Sequence, residues 1–182
     1  MSVQTLSIRT STEADLDRVV EIFLACWQGS YASVLPRILI DSLSEETARG
    51  WWAEALSRCP ERVLLACASG CSSETEWVLG VCRFSLNGSF SSDGDADDAA
   101  QIDSLYVDPA AQGGGVGGQL LRAAGERLLE LGAHRAGLWV FADNAPSLGF
   151  YLRQGWTPDG QRRVEPQFGE PELHLSKVLG HV

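Results

Sequence analysis

Residues 105–118 have the sequence LYVDPAAQGGGVGG, and the prediction of the fold starts from this segment. It closes a β-rich run, Gln101–Val107, and leads into a helical pattern, Val116–Leu131, whose apolar residues recur every three or four positions. Backbone N–H groups at the start of a helix have no partner within it, and glycines let a ligand oxygen approach them closely. The stretch therefore predicts a strand, a glycine loop and a helix N-terminus that together bind phosphate oxygens.

The glycines have three alternative explanations. The glycines could simply form a tight turn. Gly113, Gly115 and Gly118 also satisfy the dinucleotide pattern G-x-G-x-x-G, with Asp143 after the next strand, but Asp108–Gln112 separates the strand from the glycines. For that reason we rank a dinucleotide second among the phosphate ligands, and an NAD(P)-binding oxidoreductase is the less favoured functional alternative. A P-loop is excluded because no Lys-Ser or Lys-Thr pair follows the glycines.

The rest of the chain predicts one layer of sheet with flanking helices, an α/β or α+β fold. Alternating or β-branched runs predict strands, and one-sided apolar stripes with capping residues predict helices. The predicted strands are Leu6–Arg9, Arg62–Ala68, Trp77–Leu86, Gln101–Val107, Arg135–Phe141, Gln161–Val164 and Leu173–Val178, and the predicted helices are Leu16–Gly29, Ser44–Arg58, Val116–Leu131 and Pro146–Gln154. Residues 1–182 are expected to form a single domain, with a mobile acidic loop at Asn87–Asp98.

Composition and charge narrow the class of partner. The formal net charge of −10 disfavours nucleic-acid binding and favours a cationic small partner. An odd number of cysteines, five, and the lack of a leader pattern at Met1–Asp17 favour a cytoplasmic protein. The longest apolar run, Val63–Ala68, is far shorter than a membrane span, so no membrane partner is expected, and a homodimer stays open.

Two motifs carry a resemblance to a known family. Gln112, Gly115 and Gly117 fit Q/R-x-x-G-x-G/A, and the segment resembles the acyl-CoA motif of the GCN5-related N-acetyltransferases (GNAT). Asn144 followed by residues 150–156, FYLRQGW, is similar to the segment that comes next in that family. Trp27, Tyr31 and Pro36 also recur in many small members.

The resemblance implies a mixed, largely antiparallel sheet that splays after the fourth strand and holds acetyl-CoA in the gap. The implied cosubstrate contacts come from the end of that strand, from the glycine loop and from an asparagine: Leu105, Tyr106, Val107, Gln112, Gly113, Gly114, Gly115, Val116, Gly117, Gly118 and Asn144. Asn144 and Tyr151 are seven residues apart, so we expect them along one side of the same helix.

For catalysis, the resemblance implies that Tyr151 protonates the leaving thiolate and that backbone N–H groups near Leu105–Val107 stabilise the oxyanion. A buried core tyrosine is the structural alternative for Tyr151. Members often carry a glutamate where this chain has Gln101, whose amide accepts no proton at neutral pH. Asp103 is expected on the same face of the strand and could take the proton from an ammonium through a water.

The predicted function is N-acetyl transfer from acetyl-CoA to a primary amine of a small molecule or peptide, by direct attack and without a metal. A non-catalytic acyl-CoA-binding module is the main alternative. His134 and His174 are interpreted as isolated histidines that bind no metal. Cys67 and Cys71 are not interpreted as a metal-binding pair, and Asp93–Asp98 is interpreted as a solvated loop tip and not as a calcium loop. Pocket aromatics are expected among Trp27, Tyr31, Trp51, Trp52 and Phe168, although such residues are more often core.

Overall fold

The computed structural model describes residues 5–32, 34–69, 76–86, 99–166 and 168–180. Within these ranges seven strands form one sheet in the order β1-β2-β3-β4-β5-β7-β6. The strands are β1 (Thr5–Thr10), β2 (Val63–Ser69), β3 (Glu76–Leu86), β4 (Ala99–Val107), β5 (Arg135–Phe141), β6 (Thr157–Val164) and β7 (Pro171–Val178). The helices are α1 (Leu16–Gly29), α2 (Arg37–Ser42), α3 (Glu45–Arg58), α4 (Val116–Glu130) and α5 (Ala145–Arg153).

The sheet is antiparallel at every pairing except β4 with β5. That parallel pairing covers only Ala99–Gln101 against Arg135–Gly137, beyond which the two strands separate. The predicted mixed, largely antiparallel sheet that splays at its fourth strand is therefore confirmed. The doubly wound parallel sheet required by the dinucleotide alternative is wrong for this chain.

Two hydrophobic layers cover the two faces of the sheet. On one face α4 packs through Leu120, Ala124 and Leu128, and on the other α1 and α3 pack through residues such as Val19 and Leu56. Successive residues of β2 alternate between these two cores, as the period of two of a strand requires. Because β2 is buried on both faces, it forms the continuous apolar run seen in the sequence.

Two elements differ from the sequence-based prediction. The short helix α2 follows Pro36 and was not predicted, because its six residues are too few to show a helical period and none of them is buried. Strand β6 begins at Thr157, four residues earlier than predicted. Its segment Pro158–Gly160 is typical of a turn, yet it lies in the strand as an irregularity where the register with β7 shifts between Pro158 and Arg162.

The predicted mobile loop, Asn87–Asp98, lies outside the described residues, as does Cys71. Cys67 is fully buried in β2, as expected of a small core residue. In the described ranges, the helices are too short or too polar to span a bilayer.

Candidate active site

The separation of β4 and β5 opens a cavity of about 270 Å³ between them. Side chains from α1, both separating strands, α5 and the β6–β7 hairpin line it. The lining residues are Trp27, Tyr31, Gln101, Ile102, Asp103, Leu105, Tyr106, Trp139, Val140, Phe141, Asn144, Ser147, Tyr151, Arg163, Glu165, Phe168 and Glu172. The splay thus brings both predicted catalytic residues, Asp103 and Tyr151, to one space.

The end of β4 presents backbone groups to this opening. The carbonyl of Val107 accepts hydrogen bonds from Gln112 Nε2 at 3.1 Å and from Cys26 Sγ at 3.2 Å, whereas the N–H of Asp108 donates to Leu79 O of β3 at 2.8 Å. Neighbouring residues of a strand direct their backbone groups to opposite edges. The N–H groups of Leu105 and Val107 therefore face away from β3, towards the opening, while Tyr106 turns its backbone to β3 and contributes its ring to the cavity.

The loop before α4 exposes backbone with left-handed geometry. Gly113 and Gly115 have φ values of +79° and +83°, and a Cβ built on either would meet nothing within 4 Å. The first hydrogen bond of the helix runs from Gln119 N to Gly115 O at 3.1 Å, so the N–H groups of residues 116–118 have no partner within the helix. The predicted strand, glycine loop and helix N-terminus are all present, and together they offer donors to an anion.

The last two glycines of the motif have a packing role that the sequence did not indicate. A Cβ on Gly117 would lie 3.1 Å from Cζ of Phe150, and a Cβ on Gly118 would lie 3.3 Å from the amide of Gln154. Both partners belong to α5 or directly follow it. Gly117 and Gly118 therefore let the start of α4 approach the helix that carries Tyr151.

Asn144 and Tyr151 stand at the two ends of α5 and both line the cavity. Asn144 is buried and is the N-cap, because its Oδ1 accepts a hydrogen bond from Ser147 N at 3.2 Å. Only its amide nitrogen is then left to donate to a ligand. The Tyr151 ring packs against Phe150 and Trp156, and burial raises the pKa of its phenol, which keeps the hydroxyl protonated at neutral pH.

Asp103 lies at a bulge in β4. Arg83 pairs with Ser104 and the next residue, Phe84, pairs with Ile102, so Asp103 is the extra residue. Its Oδ1 accepts a hydrogen bond from Ser85 Oγ at 2.9 Å, and its Oδ2 lies 3.8 Å from Arg83 Nε. Burial raises the pKa of the Asp103 carboxyl, which brings it closer to the range useful to a general base.

An ion-pair group on the β6–β7 hairpin was missed by the sequence analysis. Arg163 Nε donates to Glu172 Oε2 at 2.5 Å and its Nη2 donates to Glu165 Oε2 at 3.1 Å, while the guanidinium carbon lies 4.3 Å from the centroid of the Trp139 ring. Arg163 and Glu172 are direct partners in the register of the hairpin. The sequence does contain opposite charges that pair across the two strands, but the pairing can be recognised only when the register of the hairpin is known.

The interpretation of His174 as isolated is wrong. Its ring is buried in β7, its Nδ1 lies 2.5 Å from Asp159 Oδ2, and it packs against Trp139 at 4.7 Å between ring centroids. Sequence spacing could not reveal this pair because it joins two strands. His134 is exposed, and across the described ranges no group of three or more His, Cys, Asp or Glu side chains could hold a metal ion.

The aromatic residues of the first helices divide between cavity and core. Trp27, Tyr31 and Phe168 line the cavity, and the rings of Trp27 and Tyr31 stack with centroids 5.1 Å apart. Trp52 is 5% exposed and belongs to the core, whereas Trp51 is 50% exposed and lies outside the cavity lining. Three of the five predicted pocket aromatics thus line the site.

Comparisons with known proteins agree with this geometry. The model of the acetyltransferase (GNAT) family matches residues 16–156. An uncharacterized N-acetyltransferase of Methanocaldococcus jannaschii, MJ1207, is 25% identical over 154 residues, which cover 85% of this chain and 62% of that protein. This chain therefore spans less than two thirds of the length of that relative.

Two solved structures superpose on nearly the whole chain. PaiA N-acetyltransferase from Thermoplasma acidophilum, in complex with coenzyme A, has a TM-score of 0.73 at 18% identity and covers 96% of this chain and 99% of its own. Ribosomal-protein-alanine N-acetyltransferase from Brucella melitensis has a TM-score of 0.67 at 26% identity, with coverages of 95% and 99%. The first of these shows the shared fold, and the second adds a moderate sequence likeness.

Proposed function

The chain belongs to the acetyltransferase (GNAT) family, and we propose that it transfers the acetyl group of acetyl-CoA directly to a primary amine. One observation carries the proposal. The splay of β4 from β5 leaves the N–H groups of Leu105 and Val107 at the mouth of a cavity that also holds Asp103 and Tyr151. The glycine loop that follows the same strand is proposed to bind the phosphates of acetyl-CoA.

The residues of the loop fit the phosphates of CoA. The N–H groups of residues 116–118 are free of helix partners, the exposed Gly113 and Gly115 leave their approach open, and the stretch 112–118 carries no acidic side chain to repel an anion. The N–H groups of Leu105 and Val107 are proposed to pair with the amide-bearing arm of CoA or with the oxyanion of the transition state. The amide nitrogen of Asn144 is a further donor in the cavity.

The acceptor arrives as an ammonium and must lose a proton before it can attack. Asp103 is proposed to take that proton through a water, because it is the nearest candidate to the position where Gln101 replaces the glutamate common in the family. The amine nitrogen then forms a bond to the acetyl carbon, and the carbon–sulfur bond breaks. Tyr151 is proposed to protonate the departing sulfur and to be reprotonated by the second proton that nitrogen loses, so one proton in total is released to solvent.

The raised pKa of Tyr151 is compatible with this role. A thiolate that forms beside a buried phenol loses the same solvation, so its own pKa also rises and the proton transfer stays close to balanced.

All described strands belong to one sheet, which supports one domain for the whole chain. A second candidate, a non-catalytic acyl-CoA-binding module, is favoured by one observation, the amide of Gln101 at the position of the family's glutamate.

Thermal unfolding with acetyl-CoA, CoA or NADH, followed by thiol release with a library of amines, tests both candidates. A ligand that binds only the native state at a hundredfold excess over its Kd stabilises by about 2.7 kcal/mol. We expect stabilisation by acetyl-CoA and CoA but not by NADH, and amine-dependent thiol release. Stabilisation without release for any amine would support the binding module, and stabilisation by NADH alone would contradict both.

A further inference from the structure

The cavity is lined by more acidic side chains than basic ones. Of the described lining residues, Asp103, Glu165 and Glu172 carry carboxylates, and Arg163 alone carries a permanent positive charge. With these groups ionised, Glu165, Glu172 and Arg163 together carry one negative charge in excess, whereas the carboxylate of Asp103 lies 3.8 Å from Nε of Arg83 and is compensated by that guanidinium. A charge excess inside a half-enclosed, low-dielectric site is costly until a ligand compensates it.

Two of the three guanidinium nitrogens of Arg163 are engaged within the protein. Its Nε and Nη2 donate to Glu172 and Glu165, and one face of the guanidinium lies over Trp139 at 4.3 Å. Glu172 is buried, with 6% of its surface exposed, so this pairing is held inside the protein and not at its surface. An acceptor that carries a carboxylate would bring a further negative charge close to these two glutamates.

The remaining wall suits a cation with an apolar chain. The stacked pair of Trp27 and Tyr31, together with Phe141 and Phe168, presents ring faces and edges to the same space. Aromatic faces attract ammonium groups and cover methylene groups well. The wall therefore combines one uncompensated negative charge, in the group of Glu165, Glu172 and Arg163, with a ring-lined apolar surface.

From this wall we infer that the acceptor is a linear amine with a second cationic group, a diamine or a longer polycation of the same kind. The inference rests on the proposed function. Asp103 takes up the proton of the reacting ammonium, while the distal cation neutralises the one negative charge in excess among Glu165, Glu172 and Arg163. Glu165 and Glu172, held in place by Arg163, are the residues that select the acceptor.

A matched set of acceptors tests the inference with the full chain. Diaminobutane, n-butylamine and γ-aminobutyrate share an amine on a chain of three methylene groups and differ in the group that ends the chain, which is a protonated aminomethyl, a methyl or a carboxylate group. We expect kcat/KM for thiol release to be highest with diaminobutane and at least tenfold lower with γ-aminobutyrate. Glu165→Gln should lower kcat/KM for diaminobutane about tenfold, the usual size of a lost charged hydrogen bond, and lower the value for butylamine much less, because butylamine has no distal cation. Glu170→Gln, on the same loop but outside the cavity lining, is the control.

The stabilisation of the CoA-bound protein by each amine is measured in parallel, so that binding is recorded even without turnover. Diaminobutane that stabilises selectively but is not acetylated would support the ligand class and contradict the reaction. Equal responses to the three amines would overturn the inference, as would a preference for γ-aminobutyrate or for a neutral peptide N-terminus, or a Glu165→Gln effect that is the same for all acceptors. In these last cases thiol release itself would still support acetyl transfer.

Discussion

The hydroxyl of Ser85 donates a hydrogen bond of 2.9 Å to Oδ1 of Asp103, whereas Oδ2 of that carboxylate is buried and accepts no hydrogen bond from any residue in the described ranges. One oxygen is thus fixed by a hydrogen bond, and the other lies 3.8 Å from Nε of Arg83 without a hydrogen bond. An asparagine at this position could keep Oδ1 on Ser85 and place its amide nitrogen where Oδ2 now lies. This asymmetry makes the substitution a test of the charge with little change of shape.

Asp103→Asn is expected to lower kcat/KM by about a hundredfold, since a positioned base contributes on the order of 10²–10⁴. Part of the loss should return as the pH is raised, because more of the acceptor amine then arrives deprotonated. The measurement is a pH profile of thiol release for both proteins. Ser85→Ala, which removes the hydrogen bond to Oδ1 and keeps the carboxylate, should reduce the rate far less. A parallel loss at every pH would contradict the role as base.

The same substitution has a predicted effect on stability. Burial raises the pKa of Asp103 above that of the unfolded chain, so the folded protein holds this proton more tightly. Its contribution to stability is therefore fully present below the unfolded pKa and is lost as the pH rises through the folded pKa. Urea unfolding should show that Asp103→Asn is as stable as the parent protein or more stable at neutral pH, and that any advantage shrinks in acid. A marked loss of stability at neutral pH would instead indicate that the carboxylate is structural.

Gly115→Ala and Gly132→Ala form a matched pair at the two ends of α4. Both glycines have left-handed φ, +83° and +89°, and open space at the Cβ position. Each substitution should therefore cost a similar 1–2 kcal/mol or so of stability through backbone strain alone. Only Gly115→Ala should weaken the affinity for acetyl-CoA, measured by calorimetry. Equal CoA affinities would place the phosphates away from this loop.

Gly117→Ala is expected to behave differently from Gly125→Ala, although both lie in α4. A Cβ on Gly125 would make an ordinary contact of 3.5 Å with Leu179, so the substitution should stabilise the helix by about 0.5–1 kcal/mol. A Cβ on Gly117 would press on the Phe150 ring at 3.1 Å and displace α5. We expect a lower melting temperature than for Gly125→Ala, together with slower turnover, and partial recovery of both in the double variant with Phe150→Leu. A Gly117→Ala protein as stable as Gly125→Ala would exclude this packing role.

These glycines show which structural features can be predicted from the sequence and which cannot. Left-handed turns and a helix start are local properties, so the loop and α4 could be predicted from residues 113–131 alone. The contact of Gly117 with Phe150 joins two helices and depends on how the sheet brings them together. The sequence pattern therefore locates the glycine but does not reveal its partner.

The cavity likewise combines residues that could be predicted from the local sequence with residues that could not. Asp103 and Tyr151 were identified as candidates because each lies within a recognisable segment, and the structure places both on the cavity wall. Arg163, Glu165 and Glu172 were not identified, since their side chains meet only through the register of β6 with β7 and the irregularity after Pro158. His174 was misjudged for the same reason, as its partner Asp159 lies on the other strand of the hairpin. Pairings across strands need the register, and a single sequence does not specify it here.

Tyr151→Phe is expected to lower turnover by about 10- to 10³-fold and to leave the affinity for acetyl-CoA nearly unchanged. The ring would still pack against Phe150 and Trp156, so only the proton donor is removed. Tyr31→Phe is the matched control, because Tyr31 also lines the cavity and is not assigned a proton transfer. It should keep most of the rate, and neither change should cost more than about 1 kcal/mol of stability, the usual net value of one hydrogen bond. Turnover and CoA binding are measured with the same acceptor for both variants. If Tyr151→Phe matches the parent protein, positioning of the substrates must account for the rate, with water or CoA handling the proton.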